Sequence, residues 1–195
     1  MKTVVIEGQL REGTGKKVAR TLRAQGLVPC VIYGGKEEIH FTAPILAFRS
    51  VVYTPEFLIV EINVNGKSYR TILKDLQFDV VTDTLSHADF LELVDDKKVI
   101  ANLPIKVVGQ SVGVKAGGRL VVKMNTLKVR TLPKHLVEFL EVDITNLQLN
   151  GNIRVEDVKV DNAEVLMPAR QPVASVVMTR ALRQAEMEEK KGGKK

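Results

Sequence analysis

The 195-residue chain has a single cysteine, Cys30, no tryptophan, and an aromatic content of only 5%. One cysteine excludes an internal disulfide and any thiolate cluster for zinc, and it fits a reducing compartment. With aromatics scarce, the core must rest on Val, Ile and Leu, which favour strands as readily as helices. No apolar run approaches the roughly 20 residues that a membrane helix requires. The first residues, MKTVVIEGQL, carry Glu7 and lack the apolar core and small-residue cleavage site of a secretion signal. A soluble, cytoplasmic protein with no membrane partner is therefore expected. At 45% hydrophobic and 27% charged, the sequence can build packed cores and is too apolar for a wholly disordered chain. Its length predicts two small domains.

Acids are also missing, locally. From 106 to 134 seven cations (Lys106, Lys115, Arg119, Lys123, Lys128, Arg130, Lys134) stand with no acid among them. Across residues 1–36 another seven (Lys2, Arg11, Lys16, Lys17, Arg20, Arg23, Lys36) face only Glu7 and Glu12. Residues 138–164 are acidic by contrast, so the formal net charge of +6 conceals two positive regions and a negative one. Such segregation predicts a directed electrostatic surface toward an anionic partner.

Turn and period signals predict a mostly β protein. TVVIEGQL (3–10) reads as a strand. A glycine-rich loop at Gly13 and Gly15 leads to a helix over 16–25, which Gly26 ends. PCVIY (29–33), closed by Gly34-Gly35, and 39–42 read as a hairpin. A helix is expected to begin at Pro44, with Ile45, Phe48 and Val52 at helical spacing, and to stop before Pro55. Leu58, Val60, Ile62 and Val64 alternate up to Asn65-Gly66, a strong hairpin signal, and 67–76 returns. LSHADFLEL (85–93) is a further strand. Beyond it, short strands separated by Gly109, Gly113, Gly117-Gly118 and Asn150-Gly151 predict an all-β second half. The expected domains are 1–94, a β-barrel with short helices, and 99–178, all β. A linker at 95–98 joins them, and a flexible charged tail follows at 179–195.

Catalytic and metal patterns find little support. His40, His87 and His135 lie far apart without cysteine or carboxylate partners at ligand spacing, so neither metal nor cofactor is expected. Ser86, His87 and Asp89 have the residue types of a nucleophilic triad, but adjacent strand residues point to opposite faces, which separates Ser86 from His87. His87 and Asp89, two apart, share a face and suit a polar contact surface. GTGKK lacks the spacer and hydroxyl of a phosphate-binding Walker loop. GVKAGGRL, at 113–120, has no βαβ unit around it and reads as a turn with a bulge. The protein is not expected to be an enzyme.

The helix at 16–25 carries the best signal. At about 100° per residue, Lys16, Arg20 and Arg23 fall in one narrow sector, with Val18, Leu22 and Gln25 opposite as the expected core face. Like charges so spaced repel unless a partner is present. An anionic ligand supplies one, and glycine-rich backbone before the helix offers free N–H groups to phosphate.

These motifs together resemble a known family. Arg11-Glu12-Gly13, Gly15-Lys16, Ala19-Arg20, Leu22-Arg23, Gly26, Pro29, Val31-Ile32-Tyr33-Gly34-Gly35 and the distant Leu85-Ser86-His87-Ala88-Asp89-Phe90 occur in order. So do Leu103-Pro104-Ile105, Gly109, Gly113 to Gly118 and EFLEVD at 138–143. The chain resembles, over roughly residues 3–178, the family of bacterial large-subunit ribosomal protein twenty-five in its long form, the general stress protein Ctc family. The resemblance implies an N-terminal barrel docked on the loop E region of 5S rRNA in the large (50S) subunit, with RNA contacts from Arg11, Lys16, Arg20, Arg23, Tyr33, His87 and Asp89. It also implies a second all-β domain, whose partners would be other ribosomal proteins or 23S rRNA. Phe78-Asp79 and Asp83 depart from the basic residues that many relatives carry ahead of the His-x-Asp strand. The alternatives are a stand-alone RNA-binding module, related to the anticodon-binding barrel of a tRNA synthetase, and a stress-related scaffold.

Overall fold

The computed structural model describes residues 1–160, 162–180 and 182–184. The chain forms two compact units, Met1–Ala101 with Leu132–Glu138, and Asn102–Thr131 with the chain from Phe139 onward. The division thus falls a few residues past 95–98, and a segment from the middle of the chain groups with the first unit.

The first unit is a closed six-stranded barrel. Its elements are β1 (Thr3–Leu10), α1 (Lys16–Ala24), β2 (Leu27–Tyr33), β3 (Ile39–Pro44), α2 (Arg49–Val52), β4 (Ile59–Val64), β5 (Lys67–Phe78) and β6 (Leu85–Glu92). The strands run in the order β1-β3-β2-β6-β5-β4, and β4 closes the ring by pairing parallel to β1. Alternating apolar residues point inward, so Ile6, Ile32, Phe41, Ile62 and Phe90 are almost completely buried. Phe90 lies between Phe41 and Phe48, at centroid distances of 5.9 and 6.2 Å. Cys30 is buried here, and burial raises its thiol well above the usual range. Asn65 and Gly66 adopt φ of 50° and 78° between β4 and β5, the left-handed pair that a two-residue hairpin turn demands.

One helix differs from expectation. Pro44 is extended and pairs with Leu27 at the end of β3. A proline suits a strand end, where a missing N–H costs no ladder bond. The chain then makes a 3-10 turn over Ile45–Phe48 before the single turn of α2.

The second unit is also built on strands: β7 (Val99–Val108), whose first three residues belong to the first unit, β8 (Arg119–Val122), β9 (Thr126–Thr131), β10 (Leu140–Asp143), β11 (Asn152–Arg154), β12 (Ala163–Val165) and β13 (Pro172–Val177). They form a four-stranded sheet, β10-β7-β9-β12, and a three-stranded sheet, β11-β13-β8. The glycine-rich 113–120 segment is not a bulged turn. Val112–Lys115 forms a short helix, α3, because the buried Ser111 hydroxyl accepts from the N–H groups of Gly113 and Val114. The expected tail begins at 179, and from 185 on it lies outside the described residues.

Sheet pairing also changes the charge picture. The acid-free run 106–134 does not make an acid-free surface. Arg130 pairs with Glu164 across β9 and β12 at 3.4 Å, and Lys106 stands opposite Glu141 across β7 and β10. Charges segregated in sequence are interleaved in space.

Candidate nucleic-acid interface

The outer face of β2 and β6 gathers the polar residues. Ala88 and Phe90 point into the barrel, so His87, Asp89 and Leu91 must point out. β2 runs parallel to β6 with Val31 opposite Asp89 and Tyr33 opposite Leu91, which places the Tyr33 side chain on the same face. His87 and Asp89 share this face as their two-residue spacing predicts. His87 Nδ1 lies 2.7 Å from Asp89 Oδ1. Both atoms are enclosed, yet neither has a well-aligned hydrogen bond, because the ring N–H is not directed along the line between them. The two groups are thus in close polar contact without a directed hydrogen bond between them. Burial, then the carboxylates of Asp89 and Asp75, raise the Tyr33 phenol above its ordinary value, so its O–H stays a donor.

The sequence did not reveal Asp75 and Gln77. They lie opposite Asp89 and His87 on β5, brought there by a register irregularity between Leu73 and Asp75. Asp75 facing Asp89 sets like charges across a strand pair, which is unfavourable without a partner that donates to both. Twelve-residue β5 gave no sign of this, since register across a bulge depends on both strands.

A second irregularity ties the basic helix to this face. Ser86 is an extra residue in β6 between the pairs Gln77–His87 and Phe78–Leu85. Its carbonyl accepts from Arg23 Nε at 2.9 Å, and its hydroxyl donates to the Gln77 carbonyl. Arg23 thus anchors the last turn of α1 one residue before His87, while remaining exposed.

The helix is oriented differently from its projection. None of its residues is buried; Ala19 and Leu22 are half-buried, and Val18 is 37% exposed. Its packing face therefore lies about a quarter-turn from the Lys16–Arg20–Arg23 sector rather than opposite it. Val18 covers the loop instead, and a Cβ on Gly13 would stand 3.4 Å from it. Lys16 and Arg20 are exposed. At the helix N-terminus Gly15 caps at φ 105°, with no side-chain cap and no acid in the first turn, so the helix itself supplies no counter-charge to the positive end of its dipole.

Arg11 has a different position. Its N–H donates to His40 at the end of the β1–β3 ladder, and its Nε donates to the Gly13 carbonyl, holding the loop before α1. Arg11 shapes the approach to the helix, whereas Lys16, Arg20 and Arg23 present charge. Among the described residues, no group of three or more His, Cys, Asp or Glu is placed to hold a metal ion, and no helix is long and apolar enough to cross a membrane.

A polar strand face edged by an exposed cationic helix, both on a closed barrel, is a charge arrangement of the kind nucleic-acid-binding proteins carry. Comparison with known proteins makes this specific: the chain belongs to the Ribosomal L25p family, a family of ribosomal proteins rather than of enzymes. Residues 6–90 match that family's model, and residues 98–180 match the C-terminal domain of ribosomal protein TL5. The chain is similar to the large ribosomal subunit protein bL25 of Cytophaga hutchinsonii, 40% identical over 186 residues covering 95% of this chain and 97% of that one. The bL25 protein of Amoebophilus asiaticus is 40% identical over 195 residues, the full length of both. That of Porphyromonas gingivalis is 39% identical over 187 residues, 95% and 97% of the two chains.

Proposed function

We propose that the protein is a structural constituent of the large ribosomal subunit in the cytoplasm, and that its barrel binds 5S rRNA at the loop E region. The observation that carries this reading is the enclosed His87–Asp89 pair beside Tyr33, with Arg23 tied in one residue away. Duplex RNA is met across a shallow minor groove, through phosphates, 2′-hydroxyls and base edges. Lys16, Arg20 and Arg23 suit the phosphates and position the protein, while carboxylates at Asp75 and Asp89 suit 2′-hydroxyl or exocyclic amine donors. A carboxylate pair at the centre of a phosphate-only site would be repulsive. The same pair in a site that reads riboses and bases is an acceptor. The likeness to bL25 proteins supports the ribosomal setting. The second unit would then contact other ribosomal proteins or 23S rRNA.

Sedimentation and filter binding test the proposal together. The chain is expected to cofractionate with 50S particles and to bind isolated 5S rRNA. A purely free pool at ordinary salt, or absence of 5S rRNA binding, contradicts it.

A further inference from the structure

The turn between β5 and β6 has a feature that RNA binding leaves unused. Val80 and Val81 are 99% and 92% exposed, the most exposed large apolar side chains among the described residues. Turns favour Gly, Asn, Asp, Ser and Pro for their backbone chemistry, and two adjacent valines at a tip are poorly suited to water. This turn is also held stiff. Asp79 Oδ1 accepts from the N–H groups of Val81 and Thr82 at 3.0 and 2.9 Å. The Asp83 N–H donates to the Asp79 carbonyl, the Asp79 N–H donates to the Thr84 carbonyl, and the Thr82 and Thr84 hydroxyls pair at 2.8 Å. These hydrogen bonds favour the turn geometry that displays the valines, which lowers the entropic cost of docking.

Beside the tip lies a cleft of about 510 Å³, lined by Ile45, Phe78 and Leu85 together with Arg23 and Asp79. Charge decides the class of partner. The segment Phe78–Thr84 contains Asp79 and Asp83 and no Lys or Arg. Hydrogen bonds from Thr82 and Val81 hold the Asp79 carboxyl below its ordinary value, so it is ionised at neutral pH. A phosphate backbone at this tip would meet two carboxylates, and so would the same tip of a second copy. A basic protein would be attracted.

We propose that the Asp79–Thr84 turn is a protein-docking knob. Val80 and Val81 enter an apolar surface on a neighbouring basic protein of the large subunit, and its Lys or Arg residues meet Asp79 and Asp83. This rests on the ribosomal setting proposed above but not on the 5S rRNA contact, which lies on the β2–β6 face.

The test places a photo-crosslinking amino acid at Val80 of the full chain, which is loaded onto large subunits lacking the protein. Sedimentation verifies loading, and filter binding to isolated 5S rRNA is measured in parallel. The expected crosslink is to a subunit protein, mapping within a few residues of its Lys or Arg side chains. A crosslink to RNA, or none from loaded protein, overturns the proposal. Failure to load overturns the ribosomal reading and this inference with it, whereas loss of 5S rRNA binding alone touches only the former contact. A second variant, Val80→Ser with Val81→Ser, is expected to be retained on subunits about tenfold less tightly. Its affinity for isolated 5S rRNA should be unchanged. Retention equal to that of the native chain would refute the knob.

Discussion

His87 Nδ1 lies 2.7 Å from Asp89 Oδ1 on the outer face of β6, with neither atom in a well-aligned hydrogen bond. An enclosed polar atom without a directed partner costs free energy, and it is through their other atoms, which leave the side chains 25% and 28% exposed, that the two residues can meet a ligand. The pair fixes both side chains while their outward atoms keep hydrogen-bonding capacity.

Replacing either member should therefore damage binding more than folding. Asp89→Asn and His87→Ala are each expected to weaken 5S rRNA binding by about 10- to 100-fold, from the roughly 1 to 3 kcal/mol of an unmatched polar group. Melting temperatures should move little, since both side chains are partly exposed. Filter binding beside thermal melts checks this.

The cationic helix should contribute in another way. Arg20→Ala with Arg23→Ala removes positioning charges, so affinity should fall for any duplex and the salt dependence should become shallower. Each lost phosphate contact lowers the log–log slope by about 0.7 to 0.9. Stability should drop modestly, by about 1 kcal/mol, because Arg23 also holds the Ser86 carbonyl. Salt titrations of the two proteins give the slopes directly.

Core and surface variants should separate cleanly. Val18→Ala and Leu22→Ala are each expected to cost about 1 kcal/mol or less, since neither side chain is buried. Phe90→Ala, at the centre of the aromatic group, is expected to cost about 3 to 5 kcal/mol. Denaturant melts of the three single variants distinguish the helix from the barrel.

The difference between these expectations shows what sequence could convey. Asn65-Gly66 was legible because a two-residue turn with positive φ depends on local chemistry alone. The shared face of His87 and Asp89 was legible because it follows from strand alternation, whereas Tyr33 entered only through the family resemblance. The orientation of α1 was not, because projection finds a charged sector but not which neighbouring sector meets the barrel. Asp75 opposite Asp89 was hidden too, since it depends on register irregularities and on a strand pairing twelve or more residues away. The acid-free run 106–134 misled for the same reason: sheet pairing brings Glu164 to Arg130 and sets Glu141 opposite Lys106 in the register.

Acid should loosen the β5–β6 turn. The Asp79 carboxyl is held below its usual value of about 3.9 by the N–H groups of Thr82 and Val81. A depressed folded value means that its contribution is fully present above the unfolded value and is lost as pH falls through the folded one. Amide resonances of Val81 and Thr82 should accordingly titrate below about pH 3.9, and Asp79→Asn should abolish that step. Titration of these amides at an ordinary or raised value would contradict the turn geometry.

Hydroxyl-radical footprinting of 5S rRNA with the full chain reads out where on the RNA the barrel sits. Protection is expected to be confined to the loop E region, weakened as salt rises and lost in the His87→Ala, Asp89→Asn double variant while that variant stays folded. Protection elsewhere on the RNA, or a loop E footprint that the double variant leaves intact, would contradict it.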